Sequence, residues 1–320
     1  MRAVAVRRAG DAPELMELPV PRPGPGQILV QLAAASLNPV DMGIAAGFFE
    51  GTVPHVHPIV LGVDGSGRVV AAGEAVRGLS PGDTVHGQFL GAPLGNGTFA
   101  EYALVAEHPD AGALQRVPDG MSAELAAALP TAGMTALGIL DAVSLRAGQT
   151  VLVVGATGGV GVLAVQLAAA TGAEVIATAR PDSDAWLRSL GATRTLDHTA
   201  RPGVAERVRA SYPGGIDAVL DLTRDPDRFR AYAGLVRDGG AAVSAALVAP
   251  PDLLASERIT VTNFQLRDKP DLLARITAEA AAGRLTVPMQ QTIGLDEVPE
   301  ALPRLTAGGA RGKTVVRIRP

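Results

Sequence analysis

Thr150–Ala170, TVLVVGATGGVGVLAVQLAAA, is the stretch that decides the fold of this chain. Val151, Leu152, Val153 and Val154 form the unbroken apolar run of a parallel strand covered on both faces. Gly155, Gly158 and Gly161 then recur every three residues, with Gly159 added, and the spacing predicts a helix beginning near Gly158. Glycine at such a turn permits the sharp bend, lets backbone approach a pyrophosphate and lets the helix pack close to the sheet. The free N–H groups and positive end of the helix dipole suit phosphate. In outline this is a dinucleotide site, with Gly155, Thr157, Gly158, Gly159, Val160 and Gly161 as its cradle.

The same run carries no charge between Arg146 and Glu174, so a membrane helix is the competing reading. The glycine cluster would break a spanning helix near its middle, and no aromatic or basic belt flanks it. No membrane partner is expected. At 320 residues the chain exceeds one ordinary core, so two domains are predicted. Hydrophobic residues at 47% and charged residues at 19% suit a well-packed globular protein rather than a disordered one. A net charge of −4 gives no basic footprint for nucleic acid. The chain has no cysteine, which excludes disulfides, thiolate zinc sites, iron–sulfur clusters and cysteine nucleophiles. The N-terminus, MRAVAVRRAGDAPEL, has no apolar signal region, and a cytoplasmic location is expected.

Roughly the first 120 residues read as short strands broken by glycine and proline: 2–6, 28–34, 67–72, 84–86 and 98–105. From about Ser122, a helix N-cap candidate, the texture changes to alanine-rich helices alternating with strands at 151–154, 174–178, 193–196, 218–220, 241–245 and 259–264. That alternation predicts a doubly wound parallel sheet. After Phe264 a helix at 269–282 leads to strands near 290–293 and 314–317, so the nucleotide domain is inserted into the other one.

Further motifs lie along the chain in a definite order. They are SLNPVD (Ser36–Asp41), LGVDGSGRVVAAGEAVRGLSPGDTV (Leu61–Val85), GTFAEY (Gly97–Tyr102), PTAGMTAL (Pro130–Leu137), VVGATGGVG and GKTVV (Gly312–Val316). Together they resemble the zinc-independent quinone oxidoreductase branch of the medium-chain dehydrogenase/reductase superfamily. The resemblance implies a GroES-like β-barrel domain, 1–121 plus 265–320, around a Rossmann domain, 122–264, with the site in the cleft between them. Asn38 stands near where zinc members carry a thiolate, and Val63–Asp64 where they carry a His-Glu pair; no metal is expected. His55 and His57 lack a third ligand and are read as a partly exposed loop, while His86 and His108 receive no role.

The strand 174–178 ends in Thr178, Ala179 and Arg180, without the acid that an NAD-preferring fold places about twenty residues after the glycine turn. Arg180 is suited to a 2′-phosphate, so NADPH is the expected cofactor, with Thr178 and Arg180 among its contacts. Ser183 and His198 depart from the lysine and tyrosine that relatives often carry. Asp182 and Asp184 offset positive charge there, for which Arg194 is a candidate compensator.

The family motifs put Asn38, Thr131 and Thr135 at the nicotinamide end. Asn38 is expected to donate to a substrate carbonyl through its amide, and Thr131 to touch nicotinamide or ribose or else to serve as an ordinary helix hydroxyl. Asp41 and Asp64 are expected to fix loops. Without a metal or evident general acid, hydride transfer to a quinone or an α,β-unsaturated carbonyl is the favoured reaction. Phe48 and Phe49 replace the tyrosine of enoyl-thioester reductases and would form an apolar wall. The alternatives are a metal-free alcohol, ketone or enoyl-thioester reductase of a biosynthetic pathway, or a non-catalytic NADPH-binding protein. The family implies a homodimer, joined through the edge strand 259–264.

Overall fold

The computed structural model describes residues 1–266 and 269–319. Arg267, Asp268 and Pro320, assigned from the sequence to the returning segment, lie outside them. The chain divides into two compact units, Met1–Met134 with Arg267–Pro320, and Thr135–Leu266.

In the unit Thr135–Leu266, six parallel strands span Thr150–Val154, Glu174–Ala179, Arg194–Asp197, Ile216–Asp221, Val236–Ser244 and Thr260–Asn263. Numbered in sequence order, they lie in the sheet as 3-2-1-4-5-6. The order reverses between the first and fourth strands, the point where such a sheet opens a crevice at its carboxyl edge. All five residues of Thr150–Val154 are buried, as a strand with neighbours on both sides and helices on both faces requires. Leu152, Val154, Ile176, Val219 and Phe229 build the core on one face.

The glycine turn sits at that reversal. Gly155 has φ +79°, which a side-chain-bearing residue rarely adopts. The helix that follows spans Gly161–Ala170 and so begins later than the glycine spacing predicts. The reason is local: residues 155–160 are consumed by the turn, although Val162 already donates to the Gly158 carbonyl at 3.0 Å. A Cβ added at Gly161 would lie 2.3 Å from the Gly155 carbonyl oxygen and 2.6 Å from Ala156 Cα. Helix and strand therefore meet backbone to backbone.

In the other unit, a seven-stranded sheet is built on the long strand Gln27–Ser36. Asp64–Ala72 and Tyr102–Ala106 pair with it antiparallel, as does Lys313–Arg317. The register aligns Ser36 with Asp64 and Val315, and Asp64 with Gln88. Residues from both ends of the sequence thus converge on one spot. A second sheet joins Glu14–Glu17, Arg2–Val6, His55–Val60 and Leu94–Asn96. The predicted strand 98–105 is corrected to Tyr102–Ala106: Thr98 turns its hydroxyl onto the Asp64 carbonyl at 2.8 Å. His55 and His57 stand on a strand, not in a loop.

Gly161→Ala is expected to cost about 2 kcal/mol from overpacking. Thermal denaturation followed by circular dichroism should show Tm lowered by about 4 °C or more, and an unchanged Tm would refute the close approach.

Candidate functional site

The nucleotide unit presents an open helix end. Val160, the residue capping Gly161–Ala170, makes no side-chain cap bond, so no side chain blocks that helix end from a ligand, although Val162 N–H already donates to the Gly158 carbonyl. Thr157, Gly158, Gly159 and Val160 are half-buried along the turn. Thr178 faces inward, and its hydroxyl oxygen accepts from Gly155 N–H at 3.1 Å, tying the second strand to the turn. Arg180, directly beyond that strand, is exposed, and its side chain has no hydrogen bond or ion pair with a described residue. Asp184 is committed elsewhere: its carboxylate accepts from the Thr195 hydroxyl and pairs with Arg188 at 3.0 Å. These two bonds hold its pKa below the usual carboxylate value.

Two residues of this unit differ from expectation. Arg194 opens the third strand, aligned with Ile176, while the strand leaves its sheet at Asp197 beside Ala179. It therefore lies at the amino end of the sheet, where it stacks on Tyr212 at 5.7 Å and donates to the Ser211 hydroxyl, and it cannot compensate charge near Arg180. Asp221, which sequence reasoning missed, ends the fourth strand opposite Val154. One carboxylate oxygen accepts from the N–H and hydroxyl of Thr223, each at 2.7 Å, while the other is buried without a hydrogen-bond partner among the described residues. Burial raises its pKa.

The other unit carries a buried polar cluster. Lys313 Nζ donates to Asn38 Oδ1 at 2.6 Å and to the Leu37 carbonyl at 3.0 Å. Asn38 Nδ2 donates to Asp64 Oδ2 at 2.9 Å and to the Ser36 carbonyl at 3.2 Å. Asp64 also accepts from Thr131 N–H at 3.0 Å and, through Oδ1, from the Thr131 hydroxyl at 2.7 Å. Gln88 Nε2 completes the chain, donating to Thr131 Oγ1 at 2.7 Å. Asp41 accepts from Asn38 N–H at 2.7 Å as the helix Pro39–Ala45 begins.

Asn38, Asp41, Asp64, Gln88 and Lys313 are all buried, and Thr131 is half-buried. Burial pushes Asp41 up to about 8, so it is protonated at neutral pH. Asp64 is also raised by burial, against the opposing pull of Lys313, Thr131 and Asn38. Burial lowers Lys313, which Asp64 and Asp41 partly restore.

This geometry revises the sequence expectations. Both amide protons of Asn38 are taken by protein acceptors, so its amide braces Asp64 and Lys313 and has none left for a substrate carbonyl. Asp64 is a hub of the cluster rather than a loop fastener. Lys313 and Gln88 were missed; the signals available were a lysine in a chain with only two, and a glutamine ending the strand Thr84–Gln88. Thr135 lies buried on the helix Pro130–Val143, one turn beyond Thr131. Phe48 and Phe49 meet edge to face with their ring centroids 5.0 Å apart, but Phe48 is 71% exposed while Phe49 packs on the core. His86, given no role, is buried, bonded to the Ala126 carbonyl at 2.9 Å and pushed down to about 4 by burial.

The cluster does not fit zinc. Its groups are an amide, carboxyls and hydroxyls, without thiolate or imidazole, and the Lys313 ammonium already holds the amide oxygen that would face a metal. Among the described residues, no three histidine or acidic side chains are placed to share an ion. The uncapped helix end does fit the pyrophosphate of a dinucleotide.

Known proteins agree with this architecture. Residues 24–118 match the family described as alcohol dehydrogenase GroES-like domain, and residues 159–269 that described as zinc-binding dehydrogenase. A 2-methylene-furan-3-one reductase of Solanum lycopersicum is 31% identical over 303 residues, spanning 92% of this chain and 72% of that protein. The quinone oxidoreductase of Coxiella burnetii is 27% identical and superimposes with a TM-score of 0.84, covering 100% of this chain and 99% of the other. An NAD-dependent alcohol dehydrogenase is 30% identical with a TM-score of 0.86, each chain fully covered. The chain is a Rossmann sheet inserted into a GroES-like domain, an NAD(P)H-dependent oxidoreductase of the medium-chain dehydrogenase/reductase superfamily in its quinone oxidoreductase branch.

Proposed function

We propose that this protein is a zinc-free, NADPH-dependent reductase that delivers hydride to a quinone or to the β-carbon of an α,β-unsaturated carbonyl. Arg180 is the observation that carries the cofactor choice. It stands exposed and unpaired among the described residues beside the second strand, no carboxylate occupies Thr178–Arg180, and the nearby Asp184 is neutralised by Arg188. A planar guanidinium left free there suits a 2′-phosphate better than a bare ribose hydroxyl.

When bound, the reduced nicotinamide supplies the hydride. Gly155, Thr157, Gly158, Gly159, Val160 and Gly161 would hold the pyrophosphate at the open helix end, with Thr178 fixing the turn. Thr131 and Thr135 would serve the nicotinamide end, and Asn38 would keep the polar cluster in register. Substrates that become resonance-stabilised anions on accepting hydride need little electrophilic help, which suits a site without Lewis acid. The tomato relative is named for reducing 2-methylene-furan-3-one, an α,β-unsaturated ketone, which supports that class. The second reading, a metal-free alcohol or ketone reductase, draws on the likeness to the NAD-dependent alcohol dehydrogenase.

The strand Thr260–Asn263 is the outer strand of its sheet and pairs with Val236–Ser244 on one side. Its unpaired edge suits a homodimer in which two such strands meet. A cysteine-free chain suits work in the cytosol.

Steady-state oxidation of NADPH with a quinone panel and an enone panel should show turnover on one of them; tight binding with turnover on neither would favour a non-catalytic role. Arg180→Ala should weaken NADPH binding about tenfold or more, the loss of a charge-assisted bond, while leaving NADH affinity unchanged. NADH binding to the unaltered protein as tightly as NADPH would defeat the assignment. Sedimentation velocity should give twice the chain mass of 32.6 kDa.

A further inference from the structure

We propose that the Thr131 hydroxyl is the proton donor to the reduced substrate anion, and that the buried Asp64 behind it supplies the proton. This rests on the hydride-transfer reading above and adds to it the source of the proton. Thr131 is the half-buried member of a cluster whose other side chains, Asp64, Asn38, Gln88 and Lys313, are buried.

A hydroxyl has one proton and two lone pairs. With Asp64 ionised, the Thr131 proton points to Asp64 Oδ1 at 2.7 Å, and Gln88 Nε2 fills one lone pair at 2.7 Å. When Asp64 carries a proton, that bond reverses: the carboxyl donates to the second lone pair. Both lone pairs are then occupied, and the hydroxyl proton must turn away from the cluster, toward the half-exposed side of Thr131. Protonation of Asp64 thereby aims the threonine proton at whatever binds there.

The step balances. A quinone or enone that has gained hydride at one atom carries the displaced electron pair on oxygen. That pair takes the Thr131 proton, the threonine oxygen takes the Asp64 proton, and Asp64 is left a carboxylate. Thr131 N–H at 3.0 Å, Asn38 Nδ2 at 2.9 Å and the Lys313 ammonium beyond Asn38 receive that negative charge. After the product leaves, water reaching Thr131 returns the proton along the same path. One proton is drawn from solvent for each hydride transferred.

The titratable groups facing Asp64 are Lys313 on the strand Lys313–Arg317 and Asp41 on the helix Pro39–Ala45. Burial outweighs Lys313 and holds the Asp64 carboxyl above its ordinary range. Activity should accordingly fall as pH rises through the pKa of Asp64.

The test uses the full chain with Thr131→Val, Thr131→Ser, Asp64→Asn and Lys313→Met. Thr131→Val should lose about 100-fold in kcat, and Thr131→Ser should restore most of it. The alkaline limb of the kcat profile should vanish in Asp64→Asn and move to higher pH in Lys313→Met, which removes the cation opposing protonation. Carbon-13 NMR of aspartate-labelled protein without NADPH supplies a readout apart from activity. Several carboxyls should titrate above the ordinary range, and one of them should be lost in Asp64→Asn and shift upward in Lys313→Met. If Asp64→Asn does not fold, Asp41→Asn removes the other carboxyl that Lys313 acts on and leaves the Lys313-sensitive signal to Asp64, and the Thr131 pair decides the rate effect. A Thr131→Val protein that reduces substrate at the unaltered rate, or the absence of such a carboxyl, overturns the relay alone. Failure of the unaltered protein to reduce any quinone or enone overturns the hydride reading, and the relay with it.

Discussion

The ammonium of Lys313 sets the constraint on which the polar half of this molecule depends. A charge taken out of water must be matched by bonds of equal quality, because a buried unpaired ion costs several kcal/mol. Lys313 finds its match in the Leu37 carbonyl and Asn38 Oδ1, on a segment some 275 residues earlier in the chain. That choice fixes the Asn38 amide, since an oxygen committed to Lys313 leaves the nitrogen to face Asp64 and Ser36. Asp64 in turn accepts the N–H of Thr131 at the start of the helix Pro130–Val143, where the helix dipole favours a negative charge. One fixed cation thus orders a strand end, a helix start and a second helix start in succession.

The nucleotide unit depends on a different economy, the near-absence of side chains. Gly161 lets the helix Gly161–Ala170 begin against the backbone of Gly155 and Ala156, and Gly155 takes the positive φ that starts the turn. With Val160 offering no cap, no side chain closes over the helix end. A cradle for phosphate is built by what these residues lack, and Thr178 supplies the hydroxyl that stiffens it.

These two styles explain what the sequence disclosed. The strand Thr150–Val154 and its glycine turn were legible because their evidence is local: residue type, period and spacing all fall within about twenty residues. Arg194 was misjudged because its place at the amino end of a strand follows from register with Ile176, which spacing alone does not reveal. The polar cluster was half legible. Asn38, Asp64 and Thr131 stood in recognisable motifs, but Lys313 and Gln88 join them only through strand pairing across the length of the chain. Asn38 shows the sharper lesson: an amide looks like a free donor in sequence and becomes a brace once its acceptors arrive.

The direction of the pKa shifts says why such a cluster is present at all. Asp41 and Asp64 are raised and Lys313 is lowered, so burial pushes each toward its neutral form. A carboxyl raised in the folded state binds protons the unfolded chain has released, and its contribution to stability falls as pH climbs through that window. An ammonium lowered in the folded state has shed protons the unfolded chain still holds, so its contribution falls as pH drops below 10.5 toward the folded value. Near neutrality both signs run against the fold, and apolar residues of similar volume would commonly serve packing as well or better. A buried set of ionisable groups that the fold bears at a cost, with one half-exposed hydroxyl at its edge, is better explained by proton chemistry than by stability.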